Sequence, residues 1–457
     1  MNVILSLVVF AMGVAMFYIP RDKKIAFMLI ACVNFALVRL NFLPFAKHPG
    51  SFLIVCFILS EWNNYKAIFA KIAKSKYLLL ILALLLATFL MAIVFSPHLH
   101  SFKEIFKFFQ SELLNRYLVL IYAFIAIRRY SSLNLLIRYS FWPLMILTLL
   151  GVINLLDHRA FFVTEMMSSW SADDLNVKKE LMGDVFAEST RFRVQSMFYN
   201  PFDYGYICIL LFFLNYYGYL KKIVGKTRFS IVTACSIFGV VFCASRTVFI
   251  VFIATYLFFL VLAFELNRSI LLVVCSFLIM IGMYLTVPAV AEKVDKVTTV
   301  FTDTKGMSGG SSIEMRSVQF ATVLSYISDR PLTGRGVNYF KQDMGWAEGN
   351  LMDHRLMGVE GVYLVYLLER GFIGYFLYVS IWLCMLFLLL KERHSDRYLA
   401  SLGIVIFIAY KMFAYMTGEL GSPFPTLLLI GSIMGAIYGE RVRIRRIRKY
   451  EDSFNHS

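Results

Sequence analysis

The chain has 457 residues, of which 59% are hydrophobic, 16% aromatic and only 16% charged, and it carries a net charge of +16. A soluble chain has about 25% charged residues, and here the apolar residues run in blocks near the ~20 residues that cross a bilayer core. These figures exclude a soluble enzyme, a disordered chain and a nucleic-acid-binding domain, and leave an all-α polytopic membrane protein.

In chain order the predicted spans are roughly 3–19, 25–45, 50–62, 77–96, 113–127, 139–156, 203–220, 229–244, 247–264, 270–290, 362–390, 398–416 and 422–438. The third is short and the eleventh long, so the expected count is twelve or thirteen. Residues 1–457 then form one integral membrane domain. The first block, Val3 to Ile19, has no basic residue before it and no small-residue cleavage site after it, which reads as a retained span. Residues 101–116 (SFKEIFKFFQSELLNR) fit an amphipathic interfacial helix ahead of the fifth span.

Lysine and arginine fall in alternate short loops, at Arg21 to Lys24, Lys66 to Lys76, Arg128 to Arg138, Lys221 to Arg228, Arg268 and Lys391 to Arg397, and in a tail at 440–457. The positive-inside tendency makes that side cytoplasmic. Two long polar segments, 157–202 and 291–361, then lie outside. If the short third span is lost, the first two reverse. The seven cysteines all lie in apolar blocks without CxxC or His-rich spacing, so they read as small core residues and no metal site is expected.

The external segments carry the chemistry. The first closes with Arg191-Phe192-Arg193, followed by Asn200-Pro201-Phe202-Asp203 at the start of a span. Ser245-Arg246-Thr247 separates the eighth and ninth spans, which puts Arg246 at the same surface. Such an arginine either snorkels to lipid phosphates, marks a turn, or joins other guanidinium groups in bidentate binding of a diphosphate. In the second segment, Ser311 to Glu314 fits a capping box opening a helix to about Asp329, with Ile313, Phe320, Leu324 and Ile327 as its apolar stripe. Arg316 and Arg330, fourteen residues apart, would share one face of it.

Gly334-Arg335-Gly336 reads as a flexible turn, lacking the third glycine and the preceding strand of a dinucleotide fingerprint. Gly225-Lys226-Thr227 likewise lacks the earlier glycine of a P-loop. Glu360-Gly361 stands at the mouth of a span, where a carboxylate either accepts a proton from a hydroxyl or pairs with an arginine. Glu369 and Arg370 lie at hydrocarbon depth and suit an internal ion pair. Asp353 and His354 read as solvent-exposed.

The stretch Arg316…Pro331-Leu332-Thr333-Gly334-Arg335-Gly336, a polar segment, and then EGVYLVYLLERGFIG (360–374) resembles the O-antigen polymerase and O-antigen ligase superfamily. RFRVQSMFYNPFDYG (191–205) and Ser245-Arg246 resemble it as well. The resemblance implies a GT-C-like membrane glycosyltransferase with a large periplasmic loop, in a bacterial inner membrane. Where the ligase branch usually carries His-Asn, this chain has Glu360-Gly361, which favours the polymerase branch.

The implied reaction transfers a glycan from undecaprenyl diphosphate to a lipid-linked repeat unit, in lipopolysaccharide or related polysaccharide biosynthesis. Arg246 and Arg316 would hold the departing diphosphate with Arg191 or Arg193 assisting and Arg335 in the same binding set, while Glu360 deprotonates the acceptor. The donor is already activated, so no cofactor and no metal are expected. Expected partners are the undecaprenyl-diphosphate-linked oligosaccharide and the bilayer, with a chain-length regulator protein left open and no nucleic acid. The alternatives are an O-antigen ligase acting on lipid A core and a flippase or transporter of the same lipid-linked glycan. Flippases usually show repeated halves and charges in a central cavity, which this sequence does not.

Overall fold

The computed structural model describes residues 2–40, 48–127, 130–167, 193–286, 313–345, 352–356, 361–393, 396–417 and 424–455, with single positions at 288, 291 and 295. The described part is helical and contains no strand. The helices are α1 (Asn2–Ala15), α2 (Arg21–Asn34), α3 (Pro49–Ser60), α4 (Tyr65–Ala73), α5 (Lys76–Phe95) and α6 (Phe102–Phe109), the last running through a π-helical segment, Gln110–Tyr117, into α7 (Leu118–Ala126). Next come α8 (Tyr130–Tyr139), α9 (Phe141–Asp157), α10 (Phe161–Met167), α11 (Pro201–Leu220), α12 (Lys226–Phe242), α13 (Arg246–Ala263) and α14 (Leu266–Thr286). The chain continues with α15 (Ile313–Tyr326), α16 (Tyr339–Gln342), α17 (Val362–Glu392), α18 (Arg397–Thr417) and α19 (Phe424–Asn455).

Every apolar block picked out in the sequence contains one of these helices. Local chemistry sets several starts. Ser101 and Glu104 close a capping box on α6, and the Asn200 side chain accepts the Phe202 N–H at 3.1 Å with Pro201 at the first helical position of α11. Among the described residues, α5, the 131–157 run, α13, α17 and α18 are long and apolar enough to cross a membrane on length and composition alone. Several of the remaining blocks fall short of that measure because they are short, as in α1 to α3, or polar. Helix α11 carries Asp203 and Asn215, and Asn215 Nδ2 donates to Ser140 Oγ at 2.9 Å inside the bundle.

The outward faces are apolar. On α5, Leu86, Leu90 and Val94 are 57%, 52% and 70% exposed, and α14 and α17 show the same pattern. A stripe of that size aggregates in water and is satisfied by lipid tails. The chain is therefore a multi-pass membrane protein.

Its two ends differ in charge. At one end Glu61 accepts from Arg21 Nε at 2.7 Å and from Lys24 Nζ at 2.8 Å, and Lys221 pairs with Asp396 at 3.0 Å. There too Arg397 Nε donates to Leu262 O at 2.8 Å, and Lys71 Nζ donates to the Phe124 and Ile127 carbonyls that end α7. These cations sit on the carbonyl-rich ends of helices, where the dipole favours them. The three salt bridges and caps tie α2 to α3, α11 to α18 and α13 to α18. The basic loops thus gather at one end, and the starts of α11, α13 and α19 and the finish of α18 gather at the other.

Helix α17 breaks at Gly371, whose φ of 60° and ψ of −166° belong to glycine alone. The break is filled by the 331–336 segment. Phe372 and Ile373 donate to the Pro331 and Leu332 carbonyls at 2.9 and 3.1 Å, while Leu368 and Glu369 carbonyls accept from Arg335 and Gly336 at 2.9 and 2.8 Å. The two intrahelical bonds lost at the break are replaced by four to the loop, so non-helical backbone persists within a span without orphaned polar groups. Gly334-Arg335-Gly336 is therefore a docked wedge, not the flexible turn its glycines suggest.

Helix α15 ends at Tyr326, short of the expected Asp329, because Arg335 Nε takes the Tyr326 carbonyl at 2.6 Å. Arg330 thus lies beyond the helix and does not share a face of it with Arg316. The stripe is shifted as well. Val323 and Ile327 are buried against Phe340, Leu364 and Leu367, whereas Phe320 is exposed.

Candidate functional site

The end opposite the basic loops assembles from three turns. Residues 193–198 dip between α9 and α12, with Val194 N–H donating to Phe242 O at 3.0 Å and the buried Ser196 hydroxyl donating to Leu147 O at 2.7 Å. The α12–α13 hairpin turns through Cys243, Ala244 and Ser245. Ala244 takes a φ of 52° and Ser245 Oγ caps the Val248 N–H at 3.3 Å, leaving Arg246 as the first residue of α13. These two anchors bring Arg193 beside Arg246. Arg193 lies 5.8 Å from the Phe202 ring centroid. Burial pushes its guanidinium below the ordinary arginine value; Cys243 opposes that and the adjacent Arg246 charge adds to it. Two cations held together, one of them partly desolvated, make a place where an anion is stabilised.

Arg316, on the first turn of α15, donates from Nη1 to Tyr415 O at 3.2 Å and from Nη2 to Met416 O. It therefore sits on the last carbonyls of α18. Helices α13 and α18 run antiparallel, since Arg397 at the start of α18 holds the final turn of α13. Arg316 at the finish of α18 and Arg246 at the start of α13 consequently occupy the same end of the bundle. Helix α11 joins them: Tyr206 stacks on Phe413 with centroids 4.7 Å apart and hydrogen-bonds Thr426 Oγ1 at 2.7 Å. Asp203, one turn earlier on α11, adds a carboxylate to this region.

The other residues expected in the site fall differently. Arg335 is committed to the loop, with Nη2 2.7 Å from Asp329 Oδ1 and Nε on the Tyr326 carbonyl. Arg191 and Glu360 lie outside the described residues, as does the capping serine at 311. Arg370 is buried and pairs with Glu112 at 3.0 Å, which agrees with the ion-pair role expected for it. Glu112 also accepts from Arg116 at 3.2 Å, and Arg116 donates to Tyr366 OH at 3.1 Å. Asp353 is only partly exposed, accepting from the Tyr326 hydroxyl at 3.2 Å and from Arg355 at 2.8 Å.

Two participants escaped the sequence reading. Glu112 was hidden in a segment that reads as an amphipathic interfacial helix. Lys411 lies on α18 one turn before Tyr415, donates to Tyr378 OH at 2.9 Å, and sits 4.1 Å from the ring centroids of both Tyr378 and Trp382. Its signal was a single lysine inside the 398–416 span, where a cation is costly enough to imply a purpose. Among the described residues no group of three or more His, Cys, Asp or Glu side chains is placed to hold a metal ion.

Residues 231–379, about a third of the chain, match a family model described as O-antigen ligase. The matched stretch runs from within α12 to the middle of α17 and so includes Arg246, Arg316, the 331–336 wedge and the α17 break, but not Arg193. No curated protein matches the chain.

Proposed function

We propose that this member of the O-antigen polymerase and ligase superfamily is a polysaccharide polymerase. It transfers a growing glycan from undecaprenyl diphosphate to a lipid-linked repeat unit at the outer face of a bacterial inner membrane. The observation that carries this reading is the gathering of Arg193, Arg246 and Arg316 at the end away from the basic loops. Positive charge there gains nothing from the positive-inside tendency, and adjacent guanidinium groups suit bidentate binding of a diphosphate.

In the proposed reaction an acceptor hydroxyl attacks the anomeric carbon of the sugar bonded to diphosphate, and that C–O bond breaks. Its electron pair leaves with undecaprenyl diphosphate. Fixed guanidinium groups in a water-poor site stabilise the departing charge without having to reorganise. Glu360, at the mouth of α17, takes the hydroxyl proton. Arg246 and Arg193 are the principal diphosphate ligands. Arg316 assists from the α18 terminus, and Arg191 is close enough in sequence to join them.

The family description favours a second reading, ligation of the glycan to lipid A core. The two separate in a deletion strain. Loss of long chains with single-repeat lipopolysaccharide retained supports polymerisation, whereas loss of both forms supports ligation. Chain growth by the purified protein on lipid-linked repeats excludes a flippase. If Arg246→Ala and Arg316→Ala both polymerise normally at normal abundance, the site is wrong.

A further inference from the structure

A second charged region lies at the opposite end of the bundle. There the start of α5, the finish of α7, the last turn of α17 and the middle of α19 enclose a cavity of about 600 Å³. Its polar rim is Lys74, Lys76, Lys391 and Arg441. Its inner wall is apolar, including Phe124, Leu388, Met434 and Ile437. No carboxylate is among the described residues that line it. Arg441 is held at the rim by Glu392, but the three lysine side chains are exposed. Lys71 lies behind the wall, donating to the Phe124 carbonyl at 2.5 Å and lying 5.9 Å from the Tyr438 ring centroid.

We infer that this cavity binds the headgroup of an anionic membrane phospholipid, with the phosphate among the lysines and the first acyl carbons against Phe124, Met434 and Ile437. The volume fits a bound small molecule, for which pockets of about 300–1,000 Å³ are usual. Its position decides between a lipid and a soluble phosphate. The lipid-facing belt begins directly above the rim: Leu79 and Leu80 on α5 are 43% and 48% exposed, and Phe387 and Leu390 on α17 are 61% and 41% exposed. A headgroup seated among the lysines therefore has its tails already aligned with that belt. A basic pocket between spans attracts the anionic lipids of the leaflet that it faces. The inference is independent of the reaction proposed for the other end.

The test is native mass spectrometry of the delipidated full chain in detergent, with phosphatidylglycerol, phosphatidylcholine or inorganic phosphate added separately. Phosphatidylglycerol should be retained at least about tenfold better than phosphatidylcholine. Lys74→Gln combined with Lys391→Gln should weaken its retention by about thirtyfold. Lys222→Gln combined with Lys226→Gln, which changes two exposed lysines of the same end outside the cavity, should leave it unchanged. Equal losses in both double variants would mean nonspecific surface attraction and overturn the inference. So would displacement of the lipid by millimolar inorganic phosphate, which would mark a site for a free anion, or equal retention of the zwitterionic lipid.

Discussion

A β-carbon built on Gly334 would stand 2.5 Å from the backbone nitrogen of Gly371, and one built on Gly371 would stand 2.6 Å from the nitrogen of Gly334. Neither position has room for a side chain, and both have positive φ, at 69° and 60°. Gly371→Ala should therefore destabilise the protein by about 3 kcal/mol, combining a forbidden backbone conformation with loss of the wedge. Gly334→Ala should cost nearly as much. Gly282→Ala is the comparison, since nothing lies within 4 Å of its added carbon, and it should be neutral or stabilising by up to about 1 kcal/mol. Thermal unfolding in detergent measures all three.

Arg370 and Glu112 form a buried pair, and one Arg370 nitrogen, Nη1, has no hydrogen-bond partner. Removing Glu112 strands the buried Arg370 charge, whereas removing Arg370 leaves Glu112 paired with Arg116. Glu112→Gln should cost about 3–5 kcal/mol, and adding Arg370→Met to it should restore about 2 kcal/mol or more. Arg116 keeps its bond to Tyr366 OH in the double variant. A double-mutant cycle in a chemical denaturant gives the coupling, and strict additivity would contradict a direct pair.

Arg193 and Arg246 are like charges held together, so their proximity works against stability and in favour of anion binding. Arg246→Ala should slow single-turnover chain extension by about 100- to 1,000-fold. Arg246→Lys should recover about tenfold of that loss, because it restores charge but not the planar fork. Arg193→Leu should lower activity while leaving the melting temperature equal or higher, the usual trade at a functional site. A fall in melting temperature would mark Arg193 as structural.

Arg335 offers the opposite expectation. Its guanidinium already holds Asp329 and the Tyr326 carbonyl. Arg335→Ala should loosen the α15 terminus, seen as faster hydrogen exchange at 326–336, and Asp329→Asn should reproduce part of that effect. Chain extension lost in Arg335→Ala at unchanged protection would return Arg335 to the diphosphate set.

Glu360→Gln should reduce extension by about 100- to 10,000-fold with an acceptor that needs deprotonation. Glu360→Asp should recover part of the rate. A pH–rate profile separates a base from a structural partner, because only loss of a base removes the acidic limb.

Much of the fold was legible because lipid enforces a simple code: apolar blocks of limited length, punctuated by cations on one side. That code located each span-like helix and the common end of Arg246 and Arg316. It gave no hint of depth, so Glu112 and Arg370, nearly 260 positions apart, could not be paired from the sequence. Composition also misjudged Gly334 to Gly336, because glycine permits both looseness and close approach and only tertiary contact chooses between them. The stripe on α15 was misplaced because its partner surface, the opening turns of α17, comes later in the chain and was not visible from local periodicity. Lys411 was missed for a related reason: its aromatic neighbours come from α17 as well as α18.

The interruption at Gly371 has a mechanical consequence. Leu368 and Glu369, before the break, accept from Arg335 and Gly336, and Phe372 and Ile373, after it, donate to Pro331 and Leu332, so the 331–336 segment clasps both sides. What looks like one rod is two, and a single strap sets the angle between them. A substitution in that strap would therefore change the angle between the rods without altering the sequence of either.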